Sequence, residues 1–113
     1  MDEDAAWTIE KSLWLGGTDQ YERSVDRGCV MVFPGVGAME YGAIVEEVGQ
    51  APRWAEVDLS EHHLSRPAAD ICVLAYKAAA HRDGGHAYGC WCSSTYRDTK
   101  EGWKLVQHQQ TPL

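Results

Sequence analysis

Hydrophobic and polar positions alternate at two different periods along this chain, and the period changes once. In the first half the spacing is helical. Ala6, Ile9 and Leu13, with Trp7 and Trp14 one heptad apart beside them, predict an amphipathic helix over 5–15 that Gly16-Gly17 stops. Asp19-x-x-Glu22 has the form of a capping box and predicts a second short helix to about Arg27, ended by Gly28. The apolar run 29–33, bounded by Gly28 and Pro34-Gly35, predicts a strand, with 36–39 as a very short returning partner. Tyr41, Ile44, Val45 and Val48 then recur at helical spacing, and a third helix over 40–48 is expected with Gly49 as its C-cap.

From Trp54 onward the period becomes two. Ala55, Val57 and Leu59 alternate with Glu56, Asp58 and Ser60 as far as His63 or Leu64, until Arg66-Pro67 breaks the run. Further strands are expected over 70–81, 86–97 and 103–109, joined by the Asp83-Gly84-Gly85 hairpin signal and the turn 98–102. Helices first and then an antiparallel meander with short connections is an α+β layout. No internal repeat interrupts it, and 113 residues make one domain, 1–113.

Composition changes the picture in only a few places. A net charge of -7 with no basic stripe disfavours nucleic acid and anionic membrane as partners. Residues 1–61 hold 13 acidic and 4 basic side chains against 4 and 6 in 62–113, which reads as acidic helices laid on a near-neutral sheet. The N-terminal MDEDAAW has neither a positive nor an apolar leader region, and no apolar run is long enough to span a bilayer, so the cytoplasm is the expected location. Cys29, Cys72, Cys90 and Cys92 do not space like a secreted disulfide scaffold, and reduced, buried thiols are expected. No metal site is expected. His62 and His63 are strand neighbours pointing to opposite faces, and Cys90-x-Cys92 lacks zinc-knuckle spacing. Gly35-Val-Gly37 has Glu40 where a dinucleotide fingerprint needs its third glycine, and no cofactor is implied.

The element order, the Phe33-Pro34-Gly35 after the first strand, Trp54 opening the long sheet, Ser93-Ser94-x-Tyr96, Trp103-x-Leu105 and His108-Gln109-Gln110-Thr111-Pro112 together resemble the nuclear transport factor 2-like superfamily. Within it the chain is similar to the small ketosteroid-isomerase-like and polyketide-cyclase-like domains, especially a branch of unassigned function. The resemblance covers nearly the whole chain. It implies a cone: a strongly curved antiparallel sheet wrapped around N-terminal helices, with a pocket between them. It also implies homodimers formed through the outer face of the sheet. Isomerases, cyclases, dehydratases and plain binding modules share this fold, so the fold does not choose among them. No catalytic Asp or Asp-Tyr motif of the characterised isomerases aligns with positions of this chain.

Strand parity separates two faces. Cys72, Leu74, Tyr76 and Ala78 are expected inward, as are Tyr88, Cys90, Cys92, Ser94 and Tyr96. The opposite face, with Ala75, Ala79, Trp91, Thr95 and Val106, is too apolar for a free surface and predicts a dimer interface. His108 shares parity with Lys104 and Val106 and is expected on that outer face, in a structural hydrogen bond or dimer contact. An aromatic-lined pocket would draw on Trp14, Tyr21, Trp54, Tyr76, Cys90 and Tyr96. For acid–base chemistry, Asp58 and His62, four apart on one strand, are the candidate bases, with Tyr76 as donor to an enolate-like oxygen. The alternation itself favours the opposite parity, in which Val57 and Leu59 are buried and Asp58 faces water. Two functions remain open: a small-organic-molecule pocket with cofactor-free isomerase, cyclase or dehydratase chemistry, and a non-catalytic homodimeric binding module.

Overall fold

The first helix explains how the two layers meet. In the computed structural model, which describes all residues Met1–Leu113, α1 runs over Glu3–Leu15. It starts two residues earlier than the apolar pattern suggests because Asp2 caps it, its carboxylate accepting from the Ala5 N–H at 2.7 Å. Glu3 and Asp4 in the first turn suit the positive end of the helix dipole. Its last turn carries no basic residue, and Arg53 supplies the missing charge from a distant loop. That guanidinium donates to the carbonyls of Leu13, Trp14 and Gly16 at 2.7–2.9 Å. Gly16 is needed for space: a Cβ there would lie 2.7 Å from Ser12 O and 2.8 Å from Gln20 Cβ.

The second helix, α2 (Thr18–Ser24), is shorter than expected and has no side-chain cap, so the Asp19/Glu22 capping box does not form. Strand β1 takes over at Val25 and continues to Phe33, because buried Val25 pairs with Leu105. The Lys104 ammonium bonds the Arg23 carbonyl at the helix end. Strand β2 (Gly37–Glu40) returns along β1, and α3 (Tyr41–Gln50) passes through Gly49 to end at Ala51.

The long strands β3 (Glu56–Ala68), β4 (Ile71–His81), β5 (Ala87–Thr99) and β6 (Gly102–Pro112) form the antiparallel meander. The sheet has six strands in the order β2-β1-β6-β5-β4-β3 and is not closed. β1 lies parallel to β6, which places the first strand beside the last. The inner face packs on the three helices around Leu13, Trp14, Ile44, Leu74, Tyr76, Tyr96 and Leu105. No helix is long and apolar enough to cross a membrane.

Two bulges decide which side chains face inward. Across the β5–β6 pair, Thr95 faces Gln107 but the adjacent Tyr96 faces Leu105, leaving Val106 as an extra residue. Parity therefore inverts. His108, expected outward with Lys104, pairs with inward Ser94 and is buried. In β3, Ser60 faces Lys77 and His63 faces Ala75, so Glu61 and His62 together oppose Tyr76. Glu61 takes φ 54°, a left-handed conformation that costs a non-glycine residue and marks the bulge. Asp58 and His62 consequently do not share a face.

Candidate functional site

One of the four buried positions of α1 is Glu10, in the stripe Ala6, Glu10, Leu13, Trp14. The expected stripe had Ile9 there, but a step of four from Ala6 carries Glu10 onto the sheet. A carboxylate only 2 % exposed is costly unless its oxygens are bonded. Here they are. Tyr76 Oη and Ser94 Oγ donate to Oε2, the latter at 2.6 Å, and Tyr96 Oη donates to Oε1 at 2.6 Å. Trp14 Nε1–H in turn donates to Tyr76 Oη at 3.0 Å. Tyr76, Ser94 and Tyr96 sit on the inward face of β4 and β5 as parity predicts.

The network reaches His108 through one hydroxyl. Ser94 Oγ lies 2.7 Å from His108 Nδ1 and has already given its proton to Glu10, so Nδ1–H is the donor of that bond. Gln110 fixes the other nitrogen. Tyr88 Oη donates to Gln110 Oε1 at 3.0 Å, which turns the amide so that its N–H faces His108 Nε2 at 3.1 Å. The imidazole is thus the neutral Nδ1–H tautomer, with its Nε2 lone pair toward Gln110. His108 Nδ1 is also 3.6 Å from Glu10 Oε2, a distance that would allow an ion pair. Burial opposes the charge and outweighs the pull of Glu10, so the imidazole titrates below its ordinary range. The same burial, reinforced by the Glu10 charge, holds the Tyr76 and Tyr96 hydroxyls well above theirs.

This network forms one wall of a cavity of about 320 Å³, within the range of small-molecule sites. Glu10, Trp14 and His108 line it together with Met31, Phe33, Ile44, Val48 and Leu105 from β1, α3 and β6. Arg53, Trp54, Arg82, His86, Tyr88 and Gln110 also line it. Trp54 stacks on Tyr88, with ring centroids 5.6 Å apart at 16°.

The sequence-derived candidates separate into three groups. Trp14, Tyr21 and Trp54 line the cavity. Tyr21 Oη donates to the Leu13 carbonyl and also receives Arg53. Tyr76, Cys90 and Tyr96 are buried outside the lining: the tyrosines bond Glu10 from behind, and Cys90 Sγ lies 3.4 Å from Cys92 Sγ. Asp58 and His62 are the third group, and neither reaches the cavity. Asp58 is exposed, paired with Ala79 on the outer side of β4, as the alternation favoured. His62 stacks on Trp7 with centroids 4.0 Å apart, and its Nε2 meets the Leu59 carbonyl. The pairing of Asp58 or His62 with Tyr76 as base and donor is therefore not assembled. All four cysteines are buried and unpaired, and no group of His, Cys, Asp and Glu is arranged to hold a metal ion. Glu10 and His108 were missed as a pair. The legible signal was a lone Glu at core spacing in α1, opposite three inward hydroxyl positions.

No protein-family model matches the chain, and no curated protein does. Solved structures do, at the level of the fold. An NTF2-like protein of unknown function in nutrient uptake from Rhodospirillum rubrum superposes with a TM-score of 0.85 at 18% identity, covering 100% of this chain and 99% of that one. A candidate ketosteroid isomerase from Parabacteroides distasonis gives 0.80 at 17% identity, over 96% of this chain and 85% of that one. The association domain of C. elegans CaMKII gives 0.75 at 14% identity, over 96% and 90%. The chain has the nuclear transport factor 2-like fold, α+β with an open six-stranded sheet.

Two measurements test the buried network. Glu10→Leu leaves three hydroxyls without their acceptor and should cost about 3–5 kcal/mol, while Tyr96→Phe removes one bond to a charged group and should cost about 1.5–3 kcal/mol. Urea unfolding of both variants checks this order, and a Glu10→Leu protein as stable as the parent would refute it. The second measurement is stability against pH. The folded His108 binds its proton less readily than the unfolded chain, whose imidazole has the ordinary value of 6.5. Stability should therefore fall as pH drops below 6.5, by at most about 1.4 kcal/mol per pH unit for one proton, and level off below the folded value. His108→Gln should remove that component of the acid loss.

Proposed function

We propose that the cone binds a small organic molecule and that His108 moves a proton to or from it, without a cofactor. The observation that carries this reading is a buried, neutral imidazole on the wall of an apolar cavity, linked through Ser94 to the Glu10 carboxylate. A base must be unprotonated at working pH and sheltered from water, and burial provides both. As Nε2 takes a proton from a ligand C–H or O–H, the forming imidazolium keeps its Nδ1–H on Ser94, whose hydroxyl remains bonded to the carboxylate. Gln110 covers Nε2 in the free protein, so a ligand's acidic group takes the place of that amide. Tyr76 and Tyr96 hold Glu10 in place, and Tyr76 is not the donor to substrate in this reading. The fold shared with a candidate ketosteroid isomerase is compatible with proton transfer at carbon, the reaction class to assay first.

The test is exchange of α-protons with deuterium oxide, followed by NMR, on two enolisable ketones, 2-tetralone and phenylpyruvate. The parent protein should accelerate exchange on at least one of them, and His108→Gln should lower the rate about 10²–10⁴-fold with binding retained. Binding without accelerated exchange would exclude the catalytic role and leave a binding module.

A second reading concerns the outer face of the sheet, which we propose pairs with a second copy of the chain. Trp91 is 45% exposed there, and Val30 (42%) and Val32 (37%) extend the same surface across β1. Gln107 and Gln109 lie between them by register, and Ala75, Thr95 and Val106 complete the apolar set expected from the sequence. The likeness to a CaMKII association domain supports self-association. Sedimentation equilibrium should give a dimer, and Trp91→Glu should weaken it at least about 30-fold, as loss of a central aromatic anchor does. A parent protein that sediments as a monomer at all concentrations would refute this surface.

A further inference from the structure

The cavity holds two arginines in opposite situations. Arg53 is spent. Its guanidinium bonds three carbonyls at the end of α1 and the Tyr21 hydroxyl, so its donors serve the fold. Arg82, the residue after β4, is not. Its Nε–H is buried and has no acceptor. The ion pair of the chain is Arg97 with Asp26, His108 beside Glu10 being neutral, and Arg82 contacts no carboxylate. Its guanidinium carbon lies over the Trp54 ring, 4.0 Å from the centroid, and its backbone N–H is tied across the hairpin to the His86 carbonyl at 2.8 Å. The side chain is therefore held against the cavity wall, with a desolvated donor that the protein does not satisfy. Leaving such a donor unpaired is unfavourable, and a ligand acceptor would relieve it.

From this we infer that the ligand of the cavity is a small organic monocarboxylate whose carboxylate seats on Arg82 while its apolar body extends toward His108. The inference rests on the pocket reading above and names its substrate class. A carboxylate is the acceptor that matches a guanidinium edge, and because Nε–H is buried in the free protein, the guanidinium shifts on Trp54 as the anion seats. Trp54 and Trp14 line the wall between the two groups, with ring centroids 6.1 Å apart, and Trp14 stands edge-on to His108 at 6.5 Å. These rings form one side of the path from Arg82 to His108, and Tyr88 and Gln110 border it as well. The carboxylate is thus remote from the carbon or oxygen that His108 would address, separated by an apolar spacer such as a ring. The charge of the ligand is bounded as well. The chain carries -7, and Glu10 and exposed Glu47 both line the cavity; with Arg53 held by carbonyls, Arg82 is the cation left to match one negative charge.

The test uses 2-naphthoate and its uncharged isostere 2-naphthamide, titrated by calorimetry into the full chain. The parent should bind the carboxylate at least about 10-fold more tightly than the amide. Arg82→Gln should bring the two affinities together by weakening only the carboxylate, and Arg82→Lys should restore part of the difference. Equal affinities for the parent, or a preference that survives Arg82→Gln, would overturn the anion assignment while leaving the pocket reading intact. If neither compound binds the parent, both the assignment and the pocket reading fall. The comparison of the two ligands on the parent protein stands even if a variant fails to fold.

Discussion

A carboxylate in the middle of the cone is the constraint on which the other contacts depend. Glu10 is carried into the interior by the helical period of α1, and an ionised group there is tolerated only because its oxygens meet three hydroxyls. Those hydroxyls come from β4 and β5, so one side chain joins the helix to two strands far away in sequence. The bonds also set the depth and rotation of α1 over the sheet. An apolar residue at this position could slide; a carboxylate with three directional partners cannot. Arg53 secures the other end of the same helix, on the carbonyls left open at its C-terminus.

The site follows from that arrangement. Tyr76 and Tyr96 face the carboxylate from behind, which leaves Ser94 as the link to β6. On β6 the extra residue at Val106 turns His108 inward to meet it. Without the bulge, the imidazole would lie on the outer face and the cavity wall would present Gln107. The helices and β1 supply apolar walls, and the β4–β5 hairpin brings Arg82, His86 and Tyr88 to Trp54. A buried imidazole, a buried carboxylate and an arginine without an ion pair thus come from different elements and border one cavity.

Close likeness of fold at 14–18% identity fits this division of labour. The cone is specified by many interchangeable apolar positions, whereas function is carried by the particular polar groups set on it. An unassigned protein, a candidate isomerase and an association domain share the backbone arrangement, and nothing in the arrangement alone selects among them. The polar groups that this chain brings to its interior and its cavity include Glu10, Ser94, His108 and Arg82.

Local pattern was enough to establish the helices, the strands, the meander and the inward faces of β4 and β5. Helical and strand periods are written in consecutive residues, and Gly and Pro mark their ends. The buried thiols and the solvent position favoured for Asp58 were legible for the same reason. Three things were decided only by tertiary structure. The bulges at Glu61 and Val106 depend on how neighbouring strands register, and each inverts every side chain beyond it. The burial of Glu10 depends on which hydroxyls lie opposite, a fact that no window along α1 contains. The difference between Arg53 and Arg82 depends on whether carbonyls from another element are within reach. Periodicity is a property of one segment, and the fate of a buried polar group is a property of the partners that several segments bring to it.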